Sequence, residues 1–259
     1  VAARKQAGLF THIAVAVALA VLLAAGPALS QESALLTSLE WPPYTGQDLA
    51  DQGASTRIVR AAFAAAGIGL SVEFFPWNRA VMLARNSPHV IGYFPEYYSY
   101  MIDREFILSE RMGESPLVFI ENTARPVAWD TLADLAGVPI GTVSGYVNTE
   151  EFDRLAAAGR LRVEAVANDE TNIRKVAAGR VALAVIDANV FRYLMAHRPD
   201  LSGLRDAVRI NPRPLETKGL FVCFRRDAQG ENLAQAFNQG LSQVDWRRMQ
   251  DEYFAAILK

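Results

Sequence analysis

The chain has a single cysteine among its 259 residues. No disulfide can form within it, so the fold has to rest on a packed core. Cys223 stands in the apolar run Gly219-Leu-Phe-Val-Cys-Phe224, which predicts a buried, inert thiol. Excess charge is lacking too: 26 Lys and Arg face 28 Asp and Glu, a formal net charge of −2. That balance gives no footing for nucleic acid or an anionic membrane surface as partner. His89 and His197 are isolated, so neither a triad nor a metal site stands out, and no catalytic residue, metal or cofactor is expected. Long apolar runs are also missing. The longest, Ile13 to Ala25, has about 13 residues, where a membrane-spanning helix needs roughly 20. Repeats, low-complexity tracts and heptads are absent.

What the first thirty residues do contain is the layout of a secretory leader. Arg4 and Lys5 make a short basic region, the apolar run follows, Gly26-Pro27 breaks it, and Ala28-Leu29-Ser30 offers small residues for cleavage. Residues 1–30 therefore read as a signal peptide, with cleavage near Ser30–Gln31 and export to the periplasm. Without Arg4 and Lys5 the 26 basic residues fall to 24 against 28 acidic, so the mature chain is slightly more acidic.

From Gln31 onward, strand-like runs alternate with helical patterns. Ala34–Ser38 reads as a strand, Ser55–Ala66 as a helix, Leu70–Phe75 as a strand and Trp77–Arg85 as a helix. Val90–Tyr93 and Leu117–Ile120 are strand-like. The alternation resumes with strands at Val138–Thr142, Leu161–Val166 and Val181–Ile186. They are separated by helices at Thr149–Ala158, Asp169–Ala178 and Ala188–Ala196. Asn148 and Glu151 suggest a capping-box variant at the first of these helices. Gly219–Phe224 reads as a last strand, and helices over Glu231–Val244 and Trp246–Leu258 close the chain. This is an α/β pattern with mostly parallel sheet. Two proline-marked breaks, Glu121–Pro126 and Asn211–Pro214, predict two lobes: residues 31–122 plus 215–259, and 123–214. Two crossings make a hinge, and a cleft between α/β lobes is a natural ligand site because strand ends and helix N-termini converge there.

Several segments appear in a telling order: Glu40-Trp-Pro-Pro-Tyr-Thr-Gly46, Phe75-Pro-Trp-Asn-Arg-Ala80, Phe106-Ile-Leu-Ser109 with Glu114-Ser-Pro-Leu117, Leu132-Ala-Asp-Leu-Ala-Gly137 with Ile140-Gly141 and Gly145-Tyr146, and Asn168-Asp-Glu-Thr-Asn172 leading to Ala178-Gly-Arg-Val181 and Asp187. In this order the chain resembles the bacterial extracellular solute-binding proteins of family 3, the polar amino-acid type of ABC transporter component. The resemblance covers nearly the whole mature chain. It implies a two-lobed periplasmic-binding-protein fold that captures a small polar or cationic solute by hinge closure. A small-molecule ligand and a membrane permease or sensor are the implied partners, for a monomer.

The same resemblance implies an arginine for the ligand carboxylate and an acid for its ammonium. Asp187 falls at the acid's position and equally suits a helix N-cap. The arginine position lands on Ile102, which leaves Arg79 and Arg104 as substitutes; if neither reaches the cleft, an α-amino acid loses its charge-assisted pair and is disfavoured as ligand. Trp41, Tyr44, Trp77, Tyr93 and Tyr97 lie in segments that end at the cleft in the family, while Phe94 and Tyr98 suit core packing. Glu96 stands among these aromatics and either reads a cationic group or is solvated. Ser115, Ser144 and Tyr146 complete the candidate set, with Ser144-Gly145-Tyr146 placed before a helix where backbone amides can meet an anion. A free-standing sensor subunit would carry the same sequence features. A dehydratase-like enzyme on the same fold would use Glu96, Glu40 or Glu73 as general acid.

Overall fold

The computed structural model describes residues 33–258, so the expected leader and its cleavage point lie outside the described residues. Alternating apolar periodicities become alternating elements. Strand β1 (Ser33–Ser38) leads through the loop carrying Trp41 to helix α1 (Ala54–Ala65), then β2 (Gly69–Phe74), α2 (Trp77–Asn86) and β3 (Gly92–Tyr97). A short helix α3 (Tyr100–Glu105) and strand β4 (Phe106–Leu108), neither foreseen from the sequence, precede β5 (Gly113–Asn122). Next come β6 (Pro139–Val143), α4 (Glu150–Ala157), β7 (Arg162–Val166), α5 (Asp169–Ala177), β8 (Leu183–Asp187) and α6 (Ala188–His197). The long strand β9 (Val208–Arg225) returns the chain to α7 (Ala228–Leu241) and α8 (Trp246–Ile257). No described helix is long and apolar enough to cross a membrane.

The strands form one sheet in the order β2-β1-β3-β9-β5-β8-β6-β7, with β4 on β9. Each end is parallel, as the strand–helix alternation requires: β1 pairs in parallel with β2 and β3, and β6 with β7 and β8. The middle is antiparallel. β5 pairs with β9 from Gly113 to Asn122, and with β8 from Leu117 to Glu121. Two parallel α/β lobes are thus joined through two long strands.

The chain break expected at Asn211–Pro214 sits inside β9. Proline is tolerated there because this part of β9 has a partner on one side only and its register with β5 shifts around Val118. Asn211 pins the segment by donating to the buried Glu121 carboxylate and to the Val127 carbonyl. The strand expected at Val90–Tyr93 begins later and runs to Tyr97, through Pro95. The cap of α4 is Thr149, whose hydroxyl accepts the Phe152 amide, and Asn148 instead binds Asp153.

Both lobes share a continuous apolar core. In the first, Ile58, Val59, Ala62 and Phe63 recur at helical spacing and are all buried. Phe63 meets Phe237 of α7 with ring centres 5.2 Å apart. Burying one such ring contributes about 1.5–3 kcal/mol. The two helices approach so closely that a side chain at Gly240 would strike the Ala62 carbonyl at 1.9 Å. In the second lobe, β8 is buried along its whole length, as a strand covered on both faces must be. Cys223 is buried, and burial pushes its thiol well above the ordinary value.

Candidate ligand site

The lobes meet where strand ends face one another. After β1, a turn is closed by the Trp41 amide on the Thr45 carbonyl (2.9 Å) and the Thr45 hydroxyl on the Leu39 carbonyl (2.8 Å). This turn stacks Trp41 on Tyr44, ring centres 4.5 Å apart, and Tyr44 meets Phe254 of α8 edge-on at 5.0 Å. Trp77 opens α2 and crosses to the other lobe. Its indole N–H donates to the Gly145 carbonyl at 3.0 Å, and its ring meets Tyr146 edge-on at 5.8 Å. Gly145 has φ +83°, and a Cβ there would lie 2.2 Å from the Asn78 Oδ1. A side chain there would be strained by the left-handed backbone and would have to push the Asn78 amide aside.

Two adjoining cavities lie behind this contact. Trp41, Trp77, Glu96, Tyr97 and Tyr146 line one, and Trp41, Tyr97, Tyr146, Asn148, Asp169 and Asp187 line the other. Together they make a narrow aromatic-walled chamber, with about 30 and 10 Å³ of free volume in its two parts and three buried carboxyl groups.

Asp187 ends β8 and caps α6. Its Oδ1 accepts the amides of Asn189 (2.7 Å) and Val190 (2.8 Å). Its Oδ2 accepts the Tyr44 hydroxyl (2.9 Å) from the other lobe and the Ser115 hydroxyl. The Tyr97 hydroxyl in turn bonds Ser115, and the Asn189 side chain donates to Tyr44 at 3.0 Å. Burial pushes Asp187 up only to about 6, because these donors favour its charged form. Glu96 is held by the Tyr97 amide (2.7 Å) and the Tyr93 hydroxyl (3.0 Å), yet burial pushes it up to about 8. Asp169 is the first residue of α5. Burial, with Glu170 and Asp187 as like charges, pushes it up to about 8, opposed by the nearby Trp41 indole.

Of the residues singled out in the sequence, Trp41, Trp77, Glu96, Tyr97, Tyr146 and Asp187 line the chamber. Tyr44 and Ser115 reach it through Asp187. Tyr93 lies one layer back, packed with Phe106 and holding Glu96. Arg79 is exposed and lies over the Phe75 ring, and Arg104 is exposed over Tyr100, so neither lines the chamber. Ile102 packs on the cluster around Tyr93 and Cys223. Ser144 is exposed. Phe94 is fully buried, as expected for a core residue, whereas Tyr98 is exposed. Glu40 and Glu73 are exposed and away from the chamber. Among the described residues no cluster of His, Cys, Asp and Glu is arranged to hold a metal ion.

Two groups escaped the sequence reading. Asp169 follows β7 at the head of a helix, the same strand-end placement that drew attention to Asp187, and that signal was available. Lys218 of β9 lies opposite Ser115. It is buried, with its ammonium 3.6 Å from Glu216 and 5.8 Å from the Tyr97 ring centre. Only its pairing across the sheet reveals it.

No protein-family model and no curated protein matches the chain. Solved structures do. The GluR0 ligand-binding core from Nostoc punctiforme, in complex with L-glutamate, aligns with a TM-score of 0.67 at 16% identity, covering 86% of this chain and 98% of that one. An amino acid ABC transporter substrate-binding protein from Streptococcus pneumoniae, bound to L-arginine, aligns at 0.69 and 14% identity, covering 89% and 98%. A histidine kinase sensor domain with similarity to periplasmic binding proteins aligns at 0.72 and 15% identity, covering 88% and 97%. The chain has the two-lobed periplasmic-binding-protein fold, with the chamber in the cleft between its lobes.

Proposed function

We propose that the protein is a periplasmic solute-binding protein that captures a small polar or cationic solute by hinge closure and delivers it to a membrane permease. The observation that carries this reading is that one chamber takes its walls from both lobes, with Tyr44 reaching Asp187 and Trp77 reaching Gly145 across the cleft. A solute held there stabilises the closed arrangement by as much as it prefers it to the open one. The lobes are residues 31–122 plus 215–259 and 123–214, bending at β5 and β9. Residues 1–30 act as a leader cleaved near Ser30, and the mature protein works as a monomer without cofactor or catalytic chemistry.

The similarity to a histidine kinase sensor domain favours one second reading, a periplasmic sensor subunit that docks a receptor instead of a permease. The test of solute capture is a thermal-shift panel of amines, L-amino acids, aromatic acids and short peptides on the purified protein. A ligand at about 100 times its Kd adds about 2.7 kcal/mol. At this chain length that raises Tm by several degrees. Silence across the whole panel counts against solute capture. Crosslinking of the loaded protein in bacterial membranes then separates a permease partner from a sensor kinase.

A further inference from the structure

The chamber also bears on the class of solute, an inference that rests on the solute-binding reading and narrows it. Asp187, at the position where the resemblance puts the amine's anchor, is already engaged. Four donors of the chain itself reach its two oxygens: the Asn189 and Val190 amides, the Ser115 hydroxyl and the Tyr44 hydroxyl, which also has the Glu114 carbonyl within 3.1 Å. A carboxylate accepts about four hydrogen bonds, so a ligand ammonium would have to displace one of them.

Asp169 is different. It is 5% exposed and lines the chamber beside Trp41, Tyr97 and Tyr146. The charges nearest it, Glu170 and Asp187, are both acidic, and the one side-chain group beside it that favours its charged form is the Trp41 indole. An acid in the first turn of a helix serves the helix dipole from a solvated position. Its neighbour Glu170 does so, pairing outward with Arg198 at 3.1 Å. Asp169 faces inward with no counter-charge. Aromatic faces and an unpaired carboxyl group are what a desolvated organic cation requires.

The opposite charge is missing from the same walls. Arg79 and Arg104 point to solvent, and no arginine lines either cavity. The nearest buried cation, Lys218, is engaged with Glu216 and the Tyr97 ring. We propose that the ligand is an organic cation without a carboxylate, an amine whose charged group lies among Trp41, Tyr97 and Tyr146 against Asp169, while Asp187 is a positioning residue that ties Tyr44 and Ser115 to the head of α6.

Calorimetric titration with matched pairs tests this: agmatine against L-arginine, cadaverine against L-lysine, histamine against L-histidine, with choline as a fully substituted cation. At least one amine is expected to bind, and its parent amino acid at least tenfold more weakly. Asp169→Asn is expected to weaken the amine at least tenfold while the free protein keeps its cooperative melting. Asp187→Asn is expected to lower the Tm of the free protein, and to weaken the amine less than Asp169→Asn does. An L-amino acid binding as well as its decarboxylated partner overturns the inference and leaves solute capture standing. Loss of that amino acid in Lys218→Met would then identify the carboxylate receptor. Unchanged amine affinity in Asp169→Asn overturns the assignment of the cation to Asp169. No binding by either half of the panel overturns the inference, and the thermal-shift panel's acids and peptides then decide whether solute capture survives.

Discussion

At the scale of single residues, the chamber is a set of acids at odds with their surroundings. Glu96 and Asp169 are pushed up to about 8, and Asp187 to about 6, chiefly by burial. The groups facing Glu96 are Tyr93, Tyr97, Tyr146, Cys223 and Lys218, and those facing Asp169 are Trp41, Tyr97, Tyr146, Glu170 and Asp187. Each folded-state value lies above the ordinary carboxyl value. The stability these groups contribute is therefore complete below about pH 4, by the ordinary carboxyl range, and is lost as pH rises through 6 to 8. The empty protein is expected to melt at a falling temperature over that window, and Asp169→Asn to flatten the slope. A bound cation favours the ionised acids, so amine affinity should rise with pH through the same window. Calorimetry in buffers of different ionisation enthalpy should detect proton release at pH 7. Affinity that is flat in pH would count against ionisation of these acids on binding. Asp187→Ala removes a helix cap, at about 1 kcal/mol, and takes one hydrogen bond each from Tyr44, which keeps the Glu114 carbonyl at 3.1 Å, and from Ser115, which keeps Tyr97. Denaturant unfolding should register a loss of about 1–2 kcal/mol.

At the scale of elements, the junctions between lobes are where small changes reach function. Gly145 precedes α4, carries φ +83° and meets Asn78 of the other lobe. Gly145→Ala pays about 1–2 kcal/mol for the left-handed backbone, and its methyl group pushes against Asn78 only when the lobes touch. Ligand affinity is expected to fall at least tenfold, with a smaller loss of free-protein stability. Equal losses in both would place the effect in the loop rather than in closure. The β5–β9 pair has its own anchor in Glu121, fully buried, which accepts Arg209 (2.8 Å), Asn211 (2.6 Å) and the Val127 amide (3.0 Å). Glu121→Ala lets the half-exposed Arg209 turn to water but leaves the Val127 amide and one Asn211 donor site unpaired beside the proline segment, and a stability loss of about 1–3 kcal/mol is expected. No loss by denaturant titration would mean the segment is held by its packing.

At the scale of the whole molecule, two parallel lobes share one sheet through β5 and β9, so any opening has to bend those strands. Small-angle scattering should show the radius of gyration falling when a bound amine closes the cleft, and an unchanged radius would argue against hinge closure. Much of this organisation could be read from the chain alone. Apolar spacing marks Ile58, Val59, Ala62 and Phe63 as one helix face, and an unbroken apolar run marks β8, because those periodicities are local and follow from backbone geometry. The same local chemistry put Trp41, Trp77 and Asp187 at strand ends, while it was the family resemblance that implied an arginine where Ile102 stands.

Partnerships were decided only by the tertiary structure. Tyr44 and Asp187 are 143 residues apart, and nothing near either one tells that the tyrosine hydroxyl and Ser115 would fill the carboxylate's second oxygen. Arg79 and Trp77 share one helix, yet the turn of that helix sends the indole into the cleft and the guanidinium to solvent over Phe75. Asp169 reads as an ordinary first-turn acid until the packing of α5 against the chamber buries it. Sequence determined the elements and the stock of aromatics and acids, because those follow from short-range patterns. The fold decided which acids are tied up by the chain's own donors and which is buried without a charged partner, because burial and hydrogen-bond partners depend on segments that meet only after the lobes are built.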